Sequence, residues 1–286
     1  MDVIYHIGLP KTGTTFLQLD YFPRLRGDFY APSKGPPMDP AIREWISFVR
    51  GQTETVTSWS PGEYDATVVI YSAEEISVSW MRKPAPEQPY PDWSPSSLDD
   101  VADCMARFHE AKFGAARAHV LVGFRSLEAF LPSYFAQLGY RHLPRGAQTF
   151  TDLLDFVEAS PERFSPPAIQ SALAQHFDDI FIYQQEELSE SCDALNQWVS
   201  AFGLGGGHIQ PQRRNARATG ARDTWRQRRL PRPGAIAPVA RLLPAGAKRI
   251  VRKMIASGRL ERYLTKDFRP TEAERIRLKK ISETLG

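Results

Sequence analysis

Apolar runs of strand type recur along this 286-residue chain at 2–7 (DVIYHI), 67–71 (TVVIY), 118–124 (AHVLVGF) and 179–184 (DIFIYQ). Between and after them the apolar positions fall at helical spacing: 14–22, roughly 41–50, 97–116, 127–140, 150–159, 166–177 and 188–202. A charged helix is expected at 270–284, starting at Pro270–Thr271. Strands alternating with helices predict an α/β fold of three layers, a central parallel sheet with helices on both faces. Ligands of such sheets bind beyond the carboxyl ends of the strands. The pattern changes past Gly203, where GLGGGH leads into proline- and arginine-rich sequence to about 247. The expected division is therefore a core over 1–210 and a basic, mostly helical C-terminal extension over 211–286 that is not an independent domain. There are no internal repeats.

Charge sharpens that boundary. The net charge of +3 conceals 15 Lys+Arg against 27 Asp+Glu in residues 1–212, and 15 against 2 in residues 213–262. A basic segment of that density points to an anionic partner. Within it, 245–263 (AGAKRIVRKMIASGRLERY) spaces Ile250, Met254 and Ile255 among basic residues, as in a basic amphipathic helix suited to a membrane surface or a polyanion. At 42% hydrophobic residues the chain can build a substantial core. Cys104 and Cys192 have no CxxC or zinc spacing, which argues against a disulfide scaffold and fits a reducing compartment. The N-terminus lacks the basic start and long apolar run of a signal peptide, and no stretch approaches 18 consecutive apolar residues. The cytoplasm is the expected location.

The chemistry concentrates in His6–Gln18, HIGLPKTGTTFLQ. Gly8, Pro10 and Gly13 break the first strand before the helical pattern begins, and a glycine-punctuated turn between strand and helix offers backbone N–H groups to a phosphate or similar anion. Gly8 and Gly13 have the separation of the GxxxxGK[ST] loop, but Thr14 occupies its lysine position and the only lysine, Lys11, lies inside the loop. An ATP- or GTP-hydrolysing loop is thereby excluded. A second constellation follows the third strand-like run: Arg125 ends it, and Ser133 comes eight residues later, followed by Tyr134 and Phe135. A guanidinium can grip a phosphate with two parallel hydrogen bonds.

PKTGTT resembles the 5′-phosphosulfate-binding loop of sulfotransferases that use 3′-phosphoadenosine 5′-phosphosulfate (PAPS), in which PK[ST]GTT follows the first strand. Arg125 and Ser133 match the family's RxPxxxxxSxY spacing, although Ser126-Leu127 replaces the frequent Asn-Pro and Pro132 precedes the serine. The resemblance implies a P-loop-like fold in which backbone N–H groups from Thr12 to Thr15, Gly13 among them, and the hydroxyls of Thr14 and Thr15 hold the 5′-phosphate. Lys11 would neutralise charge on the oxygen bridging phosphate and sulfate, and Arg125 and Ser133 would bind the 3′-phosphate. The family often closes a basic C-terminal loop over the nucleotide; Arg213, Arg214 and Asn215 are the nearest candidates, with Arg214 taken as a cofactor ligand. Pro132 is expected to delay or bend its helix.

Sulfuryl transfer to a hydroxyl needs a base. IYSAEEIS places Glu74 and Glu75 just past the second strand-like run, a place that resembles the glutamate base of bacterial and glycan sulfotransferases. Glu74 is the first candidate and Glu75 the second, and His6 reads as a core histidine with a basic role left open. Ser72 reads as a helix cap or a substrate contact, and His109 as structural. No His/Cys/Asp cluster calls for a metal. The proline-rich stretch 82–97 (RKPAPEQPYPDWSPSS) is a candidate substrate flap, with Trp80, Tyr90 and Trp93 available to stack on a sugar. The expected acceptor is a carbohydrate or glycolipid hydroxyl, not a nucleic acid. The alternatives are a non-catalytic anion- or glycan-binding protein on such a fold and an atypical P-loop phosphotransferase.

Overall fold

The computed structural model describes residues 1–9, 12–32, 38–59, 66–74, 76–77, 97–136, 149–205 and 265–285, with 225–228 and 265–267 described in backbone only. Five parallel strands form one sheet: β1 (Asp2–Gly8), β2 (Phe29–Tyr30), β3 (Val68–Ser72), β4 (Arg117–Phe124) and β5 (Asp179–Gln184), in the order β2-β3-β1-β4-β5. The protein is thus of the α/β class, with an all-parallel central sheet. β1, in the centre, is buried at every position and β3 likewise, which is why they read as continuous apolar runs rather than alternating ones. The two-residue β2 is too short to carry a periodic signal, and the sequence pattern does not reveal it.

Side chains still alternate across the sheet. Val3, Tyr5 and Ile7 of β1 face one way with Val69 and Tyr71 of β3 and Val120, Val122 and Phe124 of β4. They pack against α2 (Pro40–Val49), α3 (Leu98–Phe113), α4 (Leu127–Tyr134), α5 (Phe150–Ala159) and α6 (Pro166–Leu173). Ile4, Ile70, Leu121 and Tyr183 face the other way, toward Phe16, Leu17, Tyr21, Leu188, Leu195 and Val199. Those belong to the turn after β1, where α1 (Thr14–Phe16) leads into wider and tighter turns over Leu17–Tyr21 and Phe22–Arg24, and to α7 (Gln185–Leu188) and α8 (Asp193–Ser200). Helical segments therefore cover both faces.

Local chemistry explains most boundaries. Ser97 and Thr149 start α3 and α5 with reciprocal capping boxes to Asp100 and Asp152, and Asp39 caps α2 ahead of Pro40. Gly114 ends α3 at φ +59°. The helix read at 14–22 is irregular instead of α throughout: after Phe16 the turns widen over Leu17–Tyr21 and tighten over Phe22–Arg24, where Pro23 has no N–H to donate. The helix read at 188–202 is two helices. Ser189 Oγ donates to Gln185 O at 2.7 Å and Ser191 Oγ accepts from Asp193 N at 2.9 Å, local bonds that compete with a continuous ladder. Pro132 does not delay α4, which begins at Leu127 and runs through the proline. The core contacts of Phe130, Leu131 and Tyr134 outweigh the one hydrogen bond the proline removes.

Trp225–Arg228 (β6) and Thr265–Phe268 (β7) form a separate antiparallel pair in the C-terminal region. From β7 the chain rejoins the core: the Phe268 ring lies 4.9 Å from Phe135 and 5.4 Å from Phe150. The final helix α9 (Glu272–Leu285) buries Leu278 and Ile281 in the same cluster, and Arg277 pairs with Asp155 and Glu158 of α5. The proposed basic helix 245–263 lies outside the described residues. Among the described residues no helix is long and apolar enough to cross a membrane.

Candidate functional site

The strand order locates a crevice. β3 and β2 lie on one side of β1, and β4 and β5 on the other, so the sheet's topological switch point falls between β1 and β4. At that point β1 ends on Gly8, which pairs with Gly123 one residue before the end of β4, and Leu9 N donates to Gly123 O at 3.0 Å. A Cβ on Gly8 would lie 2.7 Å from Thr12 Oγ1 and 3.0 Å from Thr14 Cγ2, so only glycine lets the loop fold back over the strand end. Gly13 then turns the chain at φ +84°, a left-handed conformation, into α1.

Beneath the loop runs a chain of buried polar groups. Gln18 Nε2 donates to Ser72 O (3.2 Å) and to Ser72 Oγ (3.0 Å); because a carbonyl only accepts, the amide nitrogen must face Ser72. Ser72 Oγ lies 2.6 Å from His6 Nδ1, His6 Nε2 lies 3.1 Å from the Tyr183 hydroxyl, and that hydroxyl also bonds Thr12. Thr12 Oγ1 in turn donates to Leu9 O at 2.7 Å. The Leu9 end fixes the direction of donation. Thr12 gives its one proton to the Leu9 carbonyl, so Tyr183 gives to Thr12 and His6 Nε2–H gives to Tyr183, while Gln18 gives to Ser72. This sense places a proton on His6 Nε2. His6 is 0% exposed, and both its ring nitrogens are engaged in holding the loop. Tyr183 reaches Thr12 by crossing Gly123, where a Cβ would collide with its hydroxyl. Burial raises the Tyr183 phenol well above its usual range and Glu74 adds to the rise, so it stays protonated and able to donate.

The candidate residues gather at this edge. Thr14 is buried and its Oγ1 donates to Glu74 Oε2 at 2.6 Å, while Thr15 is exposed. Thr12 is 0% exposed, with its hydroxyl turned inward onto Leu9 O. Glu74 follows β3, and Ser77 Oγ ties its turn to the strand end, 2.6 Å from Gly8 O and 2.7 Å from Glu74 O. Arg125 directly follows β4, with Nε 3.8 Å from Glu186 Oε1 at the start of α7. Burial lowers the Arg125 guanidinium from its usual range and Glu186 works against that. A half-buried guanidinium paired, among the described residues, with an exposed carboxylate remains a ready partner for a phosphate. Ser133 is half-buried on α4. Lys11, Glu75, Trp80, Tyr90, Trp93, Arg213, Arg214 and Asn215 lie outside the described residues.

Sequence reasoning missed Gly123, Tyr183, Gln18, Ser77 and Glu186. One signal was available, a glycine inside an otherwise apolar strand, which marks a close approach by another group. His109 is structural as read: Nδ1 lies 3.1 Å from the Tyr5 hydroxyl and Nε2 2.8 Å from Ala116 O. Among the described residues there is no cluster of His, Cys, Asp and Glu able to hold a metal ion. No protein-family model matches the chain, and no curated protein sequence matches it. What fold and site define together is an α/β protein with a strand-to-helix glycine loop at the switch point, one carboxylate bonded to that loop and one guanidinium following the neighbouring strand.

Proposed function

We propose that this protein is an enzyme, a sulfotransferase that moves a sulfuryl group from PAPS to a hydroxyl of an acceptor, a carbohydrate or glycolipid. The observation that carries the reading is the position of Thr12–Thr15, the described part of the PKTGTT motif, at the β1–β4 switch point, with Glu74 and Arg125 following the two strands that flank β1. On this reading the fold is P-loop-like and three-layered, and the protein works in the cytoplasm. Gly8 and Gly123 fit the role, since a Cβ at either would fill the space the loop and its brace occupy.

PAPS supplies an activated sulfuryl group on a phosphate leaving group. The chain's own residues do the rest. Backbone N–H groups of Thr12, Gly13, Thr14 and Thr15 hold the 5′-phosphate, and Arg125, Ser133 and Arg214 hold the 3′-phosphate. Glu74 takes the acceptor's proton as the acceptor oxygen bonds to sulfur. Lys11 meets the negative charge left on the phosphate oxygen as its bond to sulfur breaks, giving adenosine 3′,5′-bisphosphate. No metal is required by this scheme. The basic segment 213–262 would contact a membrane surface or polyanion near the acceptor, and nucleic acid is not a partner.

The first test is ligand-dependent stability. Adenosine 3′,5′-bisphosphate at a hundredfold excess over its Kd should stabilise the folded protein by about 2.7 kcal/mol in thermal unfolding, and ATP should not. Stabilisation by ATP alone would favour the phosphotransferase reading. Lys11→Ala should fold normally yet lose transfer from labelled PAPS to any acceptor the wild type uses; sustained transfer would remove the mechanism.

A further inference from the structure

Thr14 sits between two claims on one proton. Its hydroxyl donates to Glu74 Oε2 at 2.6 Å, and the residue is 2% exposed. The carboxylate is held to that contact by its own backbone. Ala73 N donates to His6 O at 3.0 Å, and Ser77 Oγ bridges Gly8 O and Glu74 O, so the turn bearing Glu74 is fixed to the end of β1. A carboxylate oxygen and an ionised phosphate oxygen both only accept hydrogen bonds, whereas a threonine hydroxyl has a single proton to donate. Thr14 therefore cannot serve Glu74 and a phosphate at the same moment.

We propose that Thr14 is a positioning residue that passes its hydrogen bond from Glu74 Oε2 to the 5′-phosphate when nucleotide binds, so that this oxygen gives up one donor as it takes the acceptor's proton. The inference rests on the sulfuryl-transfer reading above, in which Glu74 is the base. No covalent bond changes in this step; the Thr14 proton stays on its oxygen and only turns. The charge of the phosphate acts in the same direction, since it repels the carboxylate at short range. The two sites are consequently coupled, since nucleotide binding removes one hydrogen bond from the base.

The test is a double-mutant cycle on binding rather than on turnover, using adenosine 3′,5′-bisphosphate and titration calorimetry. Glu74→Ala frees the Thr14 hydroxyl and should tighten binding about tenfold, the scale of a hydrogen bond to a charged group. In a Thr14→Val background the gain from Glu74→Ala should shrink by about threefold or more, because only the charge repulsion is then relieved. Thr14→Ser, which keeps the donor, should restore the full gain and guards against a merely structural effect of valine. Gains that multiply independently of Thr14 would overturn it alone and leave the sulfotransferase reading standing. Failure of the wild type to bind the bisphosphate at all would overturn that reading, and the exchange with it.

Discussion

Gly123 carries no side chain, and Tyr183 uses the space. The ring crosses β4 there to put its hydroxyl between His6 and Thr12, which ties the glycine loop to the sheet beneath it. Gly123→Ala would insert a methyl group into the position of that hydroxyl and 2.8 Å from Thr12 Oγ1. Overpacking of this kind costs about 1–3 kcal/mol, and here the relief is to push Tyr183 off the loop. The expected result is a lower urea midpoint with unchanged slope, and weaker binding of adenosine 3′,5′-bisphosphate. Tyr183→Phe keeps the packing but strands the His6 Nε2–H without its acceptor. That should destabilise the fold by about 1–3 kcal/mol in the same urea experiment; a neutral result would mean that Tyr183 does not brace the loop. The individual residues were legible in proportion to how local their chemistry is. Gly8, Gly13 and Thr14 announce a loop within eight residues, whereas the partnership of His6 with Tyr183 spans 177 positions and exists only because β5 lies beside β4.

Elements were legible where periodicity or a capping box was strong. The four longer strands lie within a residue or two of their apolar runs, and the Ser97 and Thr149 capping boxes start α3 and α5 where Ser/Thr-x-x-Asp is written. Breaks made by side chains bonding their own backbone, as at Ser189 and Ser191, leave no such periodic trace. The final helix shows the other limit. Its pattern predicts a charged surface helix, and most of it is exposed, yet Leu278 (3% exposed) and Ile281 (6%) enter the main core, while Arg277 reaches Asp155 and Glu158. Its anchoring is therefore apolar, since exposed ion pairs contribute little. Leu278→Ala should destabilise the protein by about 2–5 kcal/mol, the range for a buried leucine. Arg277→Ala should change stability by about 1 kcal/mol or less. Equal losses in urea unfolding would instead make the ion pairs the anchor.

At the scale of the whole molecule, stability should peak in a window of pH set by buried titratable groups. On the acid side stand His109 and Asp2. Burial under Tyr5 holds His109 below its usual range, against the opposing hydrogen bond to Ala116 O. Burial would raise the Asp2 carboxyl, but hydrogen bonds from His119 (2.8 Å) and from Arg117 hold it below its usual range instead. A depressed folded value means that the unfolded chain binds the proton first. Each group's contribution is thus complete above its unfolded value, about 6.5 for histidine and 3.9 for aspartate, and is lost as pH falls below it. On the alkaline side burial, with Asp193 adding to it, pushes the Cys192 thiol from 9.0 up to about 11, so the folded state keeps its proton longer. That contribution is complete below pH 9.0 and is lost as pH rises through about 11. Unfolding free energy should therefore be flat between about pH 7 and 9, fall in two stages below it, and fall again above it. Each titrating proton sets a slope of about 1.4 kcal/mol per pH unit. Urea titrations from pH 3 to 11 on the wild type, His109→Gln and Cys192→Ala test the assignment. His109→Gln should flatten the stage below pH 6.5 and leave the stage below pH 4, and Cys192→Ala should reduce the alkaline fall. An unaltered acid limb in His109→Gln would move that titration to another histidine.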